Sequence, residues 1–242
     1  KAQVFGNAIF QRSKTIMRAM NIPDFDETSI EVIGSNSQYS TDIDEKHDNK
    51  EVVLKFAAKH EDIRAIGIML KESVGLGLAT PPGLSGFAGA RPKPSPVVRL
   101  FSFLIPKSKV PIKIIDDKEH DIDVSNGDIY DFNQTIRPSK PEYNDIEEEL
   151  IDVPLIDVAY GRSGDKGDKA NIGIIARDKK YFPVLCHYLT EEFVKKSFSK
   201  FLKGDIEKFL LPGSYSINFL LHDVLGGGGP ASLRNDPQGK AY

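Results

Sequence analysis

Apolar positions recur along residues 5–20 at mixed three- and four-residue spacings, through Phe5, Ile9, Ile16, Met17 and Met20, with Lys14 and Arg18 among the polar positions between them. The spacing predicts an amphipathic helix that Asn21 and Pro23 stop. Residues 29–33 and 52–58 alternate and are rich in β-branched side chains, so they read as strands. The second leads into a helical pattern over residues 62–73 carrying Ile63, Ile66, Ile68 and Leu70, a β-then-α unit. Residues 75–94 hold too many glycines and prolines for a regular element, and two strands are expected after them, at 97–105 and 110–115.

From 116 to 149 the chain turns acidic and nearly loses periodicity, with Pro138 and Pro141 and scattered Tyr130, Phe132 and Tyr143, which predicts a linker between two domains. The pattern then becomes regular: a strand at 154–159, a glycine-rich turn, a strand at 171–176, helices over 182–189 and 191–202 with Thr190 as cap, and strands at 206–211 and 215–221 joined through Pro212 and Gly213. Strands, then helices, then strands imply a small antiparallel sheet with helices on one face, an α+β layer structure.

The charge balance limits what such a protein binds. Among 242 residues the formal net charge is -3, and charged residues make up 28%, so no overall basic field exists to hold nucleic acid or an anionic membrane. An anion must therefore be held locally. No apolar run approaches the roughly 20 residues of a membrane span, and the single cysteine, Cys186, has no intramolecular partner, which predicts a cytoplasmic or organelle-matrix protein. The chain opens on Lys1 with a helical pattern already under way, so it reads as part of a longer protein.

One segment concentrates chemistry. Between residues 161 and 171 lie Gly161, Gly164 and Gly167, the cations Arg162, Lys166 and Lys169, and the carboxylates Asp165 and Asp168. Glycines at that density free backbone N–H groups to face an anion. The competing reading is a structural hairpin in which Asp165, Asp168 and Asn171 make Asx turns. Ser163 misses the nucleophile elbow, and the segment misses the phosphate-loop pattern of nucleoside triphosphate enzymes. In the tail, glycines 226–229 end on Pro230 and cannot start a dinucleotide-binding unit, and they read instead as a loop that closes over something, the charged turn being one candidate, with Arg234 adding a cation. Residues 83–99 repeat the combination, with three glycines beside Arg91, Lys93 and Arg99; an irregular packing loop is the alternative there. His222, beside Asn218 in an apolar strand, is either a proton-transfer group or a hydrogen-bonded strand end. His47, His60, His120 and His187 lack metal-ligand spacing, so no metal and no cofactor is expected.

The run GRSGDKGDKANIGIIAR over 161–177, the stretch NFLLH at 218–222, the tail GGGGPASLRNDPQGKAY, and PPGLSGFAGARPKPSPVVRLFSFLIPKSKVP over 81–111 together resemble the acyclic terpene utilisation family AtuA. The resemblance implies an end portion of an α/β main domain over 1–115, an acidic linker over 116–149, and a ferredoxin-like module over 150–242. It also implies a much longer N-terminal portion in full-length relatives, and a role in acyclic isoprenoid breakdown through CoA thioesters. The expectation is that an acyl-CoA-type or carboxylated small molecule is held by Arg162, Ser163, Gly164, Lys166, Gly167, Asn171, Arg91, Gly227 and Gly228, with Asp165, Asp168 and His222 as proton-transfer candidates. A homo-oligomer is expected, and the rival reading makes the module an assembly element.

Overall fold

The computed structural model describes residues 1–35, 37, 49–80, 82–86, 89, 91–122, 131–143 and 151–242. Much of the expected linker (123–130 and 144–150), His47, and Pro81, Phe87, Ala88 and Ala90 of the glycine- and proline-rich loop lie outside the described residues.

The N-terminal part begins with helix α1 (Ala2–Ala19), then strands β1 (Glu27–Ile33) and β2 (Val53–Lys59), then helix α2 (Ile63–Ala79). The two strands pair antiparallel from Glu27 opposite Lys59 to Ile33 opposite Val53. Phe5 and Ile9 of the apolar stripe read from the sequence, joined by Phe10 that the stripe did not include, pack with Met69 of α2 and with Ile30 and Phe56 of the strands. Asp62 caps α2 by accepting from the Arg64 amide at 2.9 Å, and the Arg64 guanidinium beside it holds its carboxyl below the ordinary carboxylate range. This helix runs six residues past its expected end at Ser73, through Gly75 and Gly77. Leu76 continues the apolar stripe onto the same core, which offsets the roughly 1 kcal/mol that each glycine costs a helix.

Residues 97–105, expected as a strand, form no ladder among the described residues. They are apolar on both faces, so they need a neighbour on each side to be buried, and here Phe101 is 84% exposed and Leu104 fully so. The next pairing is a short hairpin of β3 (Ile112–Ile115) with β4 (Glu119–Ile122). Regular structure therefore reaches into the acidic stretch expected to be irregular, because Asp116 accepts from the Lys118 amide at 2.8 Å and sets an Asx turn. Farther along, the Tyr143 ring lies 4.6 Å from that of His187, tilted at 38°, and the Arg137 guanidinium lies over Phe209, bringing this stretch against the C-terminal module.

That module starts with one helical turn, α3 (Leu155–Val158), where a strand was expected. It continues through β5 (Ala159–Lys166), β6 (Lys169–Ala176), α4 (Phe182–Tyr188), α5 (Glu191–Ser197), β7 (Ile206–Leu211) and β8 (Ser216–Leu221). The four strands form one antiparallel sheet in the order β5-β6-β8-β7. Ile172, Ile174, Ile217, Phe219 and Leu221 alternate onto one face of it and bury against Phe182, Leu185, Cys186 and Val194 of the helices. Four antiparallel strands with helices on one face are the ferredoxin-like layers. The chain reaches them as hairpin, two helices, hairpin, whereas split βαβ units would interleave helices and strands. Thr190 caps α5 by accepting from the Phe193 amide at 3.1 Å.

Two features lock the tail onto this module. Tyr242 lies between Phe198 and Phe201, and the Arg234 guanidinium sits 3.7 Å over the Phe201 ring. Both Arg234 and Tyr242 donate to the Val224 carbonyl. The two parts of the chain meet at buried Glu31, whose carboxylate takes Lys55 Nζ and the Asn235 amide at 2.9 and 2.7 Å.

Candidate functional site

The alternation of a strand decides where the chemistry of residues 161–171 goes. Instead of one long turn, this segment is two strands joined by the two residues Gly167 and Asp168. Gly167 has φ +70, a conformation that favours glycine, and it makes the tight connection possible. Side chains opposite one another in the ladder share a face. Ser163 and Asp165 stand opposite Ile172 and Ala170 and so face the helices, whereas Arg162, Gly164 and Lys166 stand opposite Gly173, Asn171 and Lys169 on the uncovered face.

The turn itself is satisfied internally. Asp168 Oδ1 accepts from the Gly227 and Gly228 amides at 2.7 and 3.0 Å, and its carbonyl accepts from the Val224 amide at 3.2 Å. The tetraglycine loop thus closes on the charged turn, one of the placements considered for it. Gly228 comes so close that an added Cβ would lie 3.3 Å from the Gly167 carbonyl oxygen, and its φ of +90 also favours glycine. The amides of Gly227 and Gly228 point at a carboxylate of the protein, and Arg234, expected to add charge there, is spent on Phe201, Tyr242 and the Val224 carbonyl.

The uncovered sheet face offers a different constellation. Arg162 of β5 is exposed and faces Gly173, whose missing side chain leaves the middle of β6 bare. Beside them, Asn171 Nδ2 donates to Asn218 Oδ1 of β8 at 3.1 Å. Lys166 and Lys169 sit directly opposite each other at the hairpin end, a like-charge pairing that costs free energy. Lys240 reaches over the edge strand from the tail: a Cβ on Gly164 would lie 2.7 Å from its ammonium, which is also 3.5 Å from the Ser163 carbonyl oxygen. None of Arg162, Lys166, Lys169 and Lys240 makes an ion pair with a carboxylate among the described residues. Lys166 Nζ instead donates to the Asp165 carbonyl at 2.9 Å. On the far side of this face, His222 Nε2 is 2.9 Å from Glu207 Oε1.

Other predicted residues are not brought in. Arg91 is exposed in the segment that follows α2 and makes no ion pair with the module among the described residues. Ser163 Oγ is buried without a hydrogen-bond partner among the described residues, so no base among them is in place to make it a nucleophile. Among the described residues no group of three His, Cys, Asp or Glu side chains stands ready to hold a metal ion. Sequence reasoning missed Lys240. The signal for the shared face was the period-two order of Tyr160, Arg162, Gly164 and Lys166, but nothing in sequence spacing ties residue 240 to residue 164.

The fold and face define a two-part protein whose second part is a ferredoxin-like module with a cationic, uncovered sheet. Two family models match the chain: that of the acyclic terpene utilisation family protein AtuA over residues 1–115, and that of the AtuA ferredoxin-like domain over residues 153–242. The chain belongs to the AtuA family, which is a family of acyclic terpene utilisation. Neither the curated proteins nor the solved structures contain a match to it. No helix among the described residues is long and apolar enough to cross a membrane.

Proposed function

We propose that this protein binds a carboxylated or CoA-linked acyclic isoprenoid intermediate on the uncovered face of its ferredoxin-like sheet. Four cations gathered there without ion-paired carboxylates support the reading: Arg162, Lys166, Lys169 and Lys240. A carboxylate or phosphate between them relieves the repulsion of Lys166 and Lys169 and accepts charge-assisted hydrogen bonds from Arg162. Asn171 and Asn218 supply neutral donors next to the bare strand at Gly173, where a flat thioester or acyl chain meets backbone with no side chain between. The glycines at 227 and 228 act indirectly, by fixing Asp168 and with it the hairpin that carries the cations. His222, held by Glu207, is the proton-transfer candidate on this face, since a carboxylate partner fixes an imidazole's orientation. Asp165, on the helix side, fits that role less well.

The test is calorimetry with a branched ten-carbon acyl-CoA such as citronelloyl-CoA. Arg162→Ala combined with Lys166→Ala is expected to weaken binding by about a hundredfold or more, each of the two lost charged hydrogen bonds being worth about 1.5 kcal/mol or more, at an unchanged melting temperature. Equal affinity in wild type and variant contradicts the proposal.

A second reading has an observation of its own. Residues 97–105 expose Leu100, Phe101, Phe103 and Leu104 in one run, and contiguous exposed apolar surface is characteristic of association sites. In that reading the chain pairs with a second copy through this segment, and the sheet face is a by-product of assembly.

A further inference from the structure

At the opposite edge of the module's sheet, against β7, a cavity of about 380 Å³ opens between residues 137–140 and the junction of α4 with α5. Its size falls at the lower end of the range of small-molecule sites. Three cations line it, Arg137, Lys140 and Lys208, against one carboxylate, Glu191. The apolar wall is equally definite: the Phe209 ring, with the Arg137 guanidinium 5.2 Å above it, together with Pro138 and Leu210.

Lys208 is the fixed point of the group. Its ammonium donates to the Cys186 and Leu189 carbonyls at 2.9 and 2.6 Å, in the last turn of α4, where helix carbonyls lack partners of their own. The ammonium is half-buried, and burial, with Lys140 adding repulsion, pulls it below the ordinary lysine range. Burial pushes the Cys186 thiol at the cavity's base up, so it stays a neutral, apolar floor. Arg137 and Lys140, both exposed, make no ion pair among the described residues. The lining thus sets an excess of positive charge directly beside an apolar surface, with Arg137 belonging to both.

We propose that this cavity, at the β7 edge of the sheet and away from the cations of the β5–β6 hairpin, is a second ligand site that takes a small monocarboxylate with an apolar body, its carboxylate between Arg137 and Lys140 and its chain beside Phe209, which stands opposite Asn218 in the ladder. A phosphate alone satisfies the cations but leaves the aromatic wall unused, and an alcohol does the reverse. The amphiphilic class answers both halves of the lining.

The experiment is a titration of the ¹⁵N-labelled full chain, followed by amide shifts, with octanoate, octan-1-ol and inorganic phosphate as probes. Octanoate is expected to move the amides of Thr190, Glu191 and Phe209 saturably, with octan-1-ol at least about tenfold weaker for want of a charge-assisted contact and phosphate at least about tenfold weaker for want of the buried apolar chain. Arg137→Ala with Lys140→Ala, both at exposed positions, is expected to weaken octanoate by a similar factor while acyl-CoA binding at the sheet face is unaffected. Octan-1-ol or phosphate binding as tightly as octanoate, an unchanged affinity in the double variant, or shifts confined to other residues each overturns the proposal.

Discussion

Asp168 shows how one side chain answers the question a glycine-rich segment raises. A cluster of glycines presents backbone donors, and in this protein the donors of Gly227 and Gly228 are taken by a carboxylate from 59 and 60 residues away. Replacing Asp168 with Ala leaves both amides without their acceptor and unties the tail loop from the hairpin. The expected loss is about 1–3 kcal/mol in chemical denaturation, toward the lower end because Gly227 is open to water. An unchanged midpoint rules out this role for the carboxylate. Tyr242 gives a second residue-scale expectation. Burial pushes its phenol above the ordinary tyrosine range, with Arg234 opposing, so the folded state favours the protonated form. That contribution is fully present below the unfolded pKa of about 10 and is lost as pH rises through the folded value. Tyr242→Phe is therefore expected to flatten the fall in stability above about pH 10 relative to wild type, read by denaturation at a series of alkaline pH values.

At the scale of elements, local patterns were legible where one face is buried and misleading where the answer depends on distant partners. The helix at α1, the cap at Thr190 and the hairpin at Pro212 and Gly213 follow from periodicity and capping chemistry, and they form as expected. The charged segment was read as one long turn because glycines and charges hide a strand's alternation. Yet Ser163 and Asp165 pair with inward positions and Arg162 and Lys166 with outward ones, which makes it β5 and the start of β6. This split also divides the candidate site: residues adjacent in sequence end up on opposite faces. Residues 97–105 differ for the opposite reason, since a run apolar on both sides is buried only where layers cover both of its faces, and here its side chains stay exposed. If a second copy supplies that cover, replacing Leu100, Phe101 and Phe103 with Ser is expected to abolish self-association in sedimentation velocity. A wild-type chain that sediments as a monomer at every concentration contradicts the assembly reading.

For the whole molecule, the net charge of -3 conceals a strong local asymmetry. Acidic residues crowd the middle of the chain, while four cations converge on the module's open face and three more on the cavity beside β7. Composition leads to the expectation of no nucleic-acid or membrane surface, for want of an overall basic field. The convergence itself is not readable from sequence, because Lys240 reaches β5 at Ser163 and Gly164 only after the tail has folded back through Arg234 and Tyr242. The central claim, that the uncovered sheet is where an anionic isoprenoid derivative binds, is tested most directly by mapping amide shifts of the labelled chain during titration with citronelloyl-CoA. The account predicts saturable shifts centred on Arg162, Gly164, Asn171, Gly173 and Asn218. Saturable binding that leaves those five amides unmoved contradicts it.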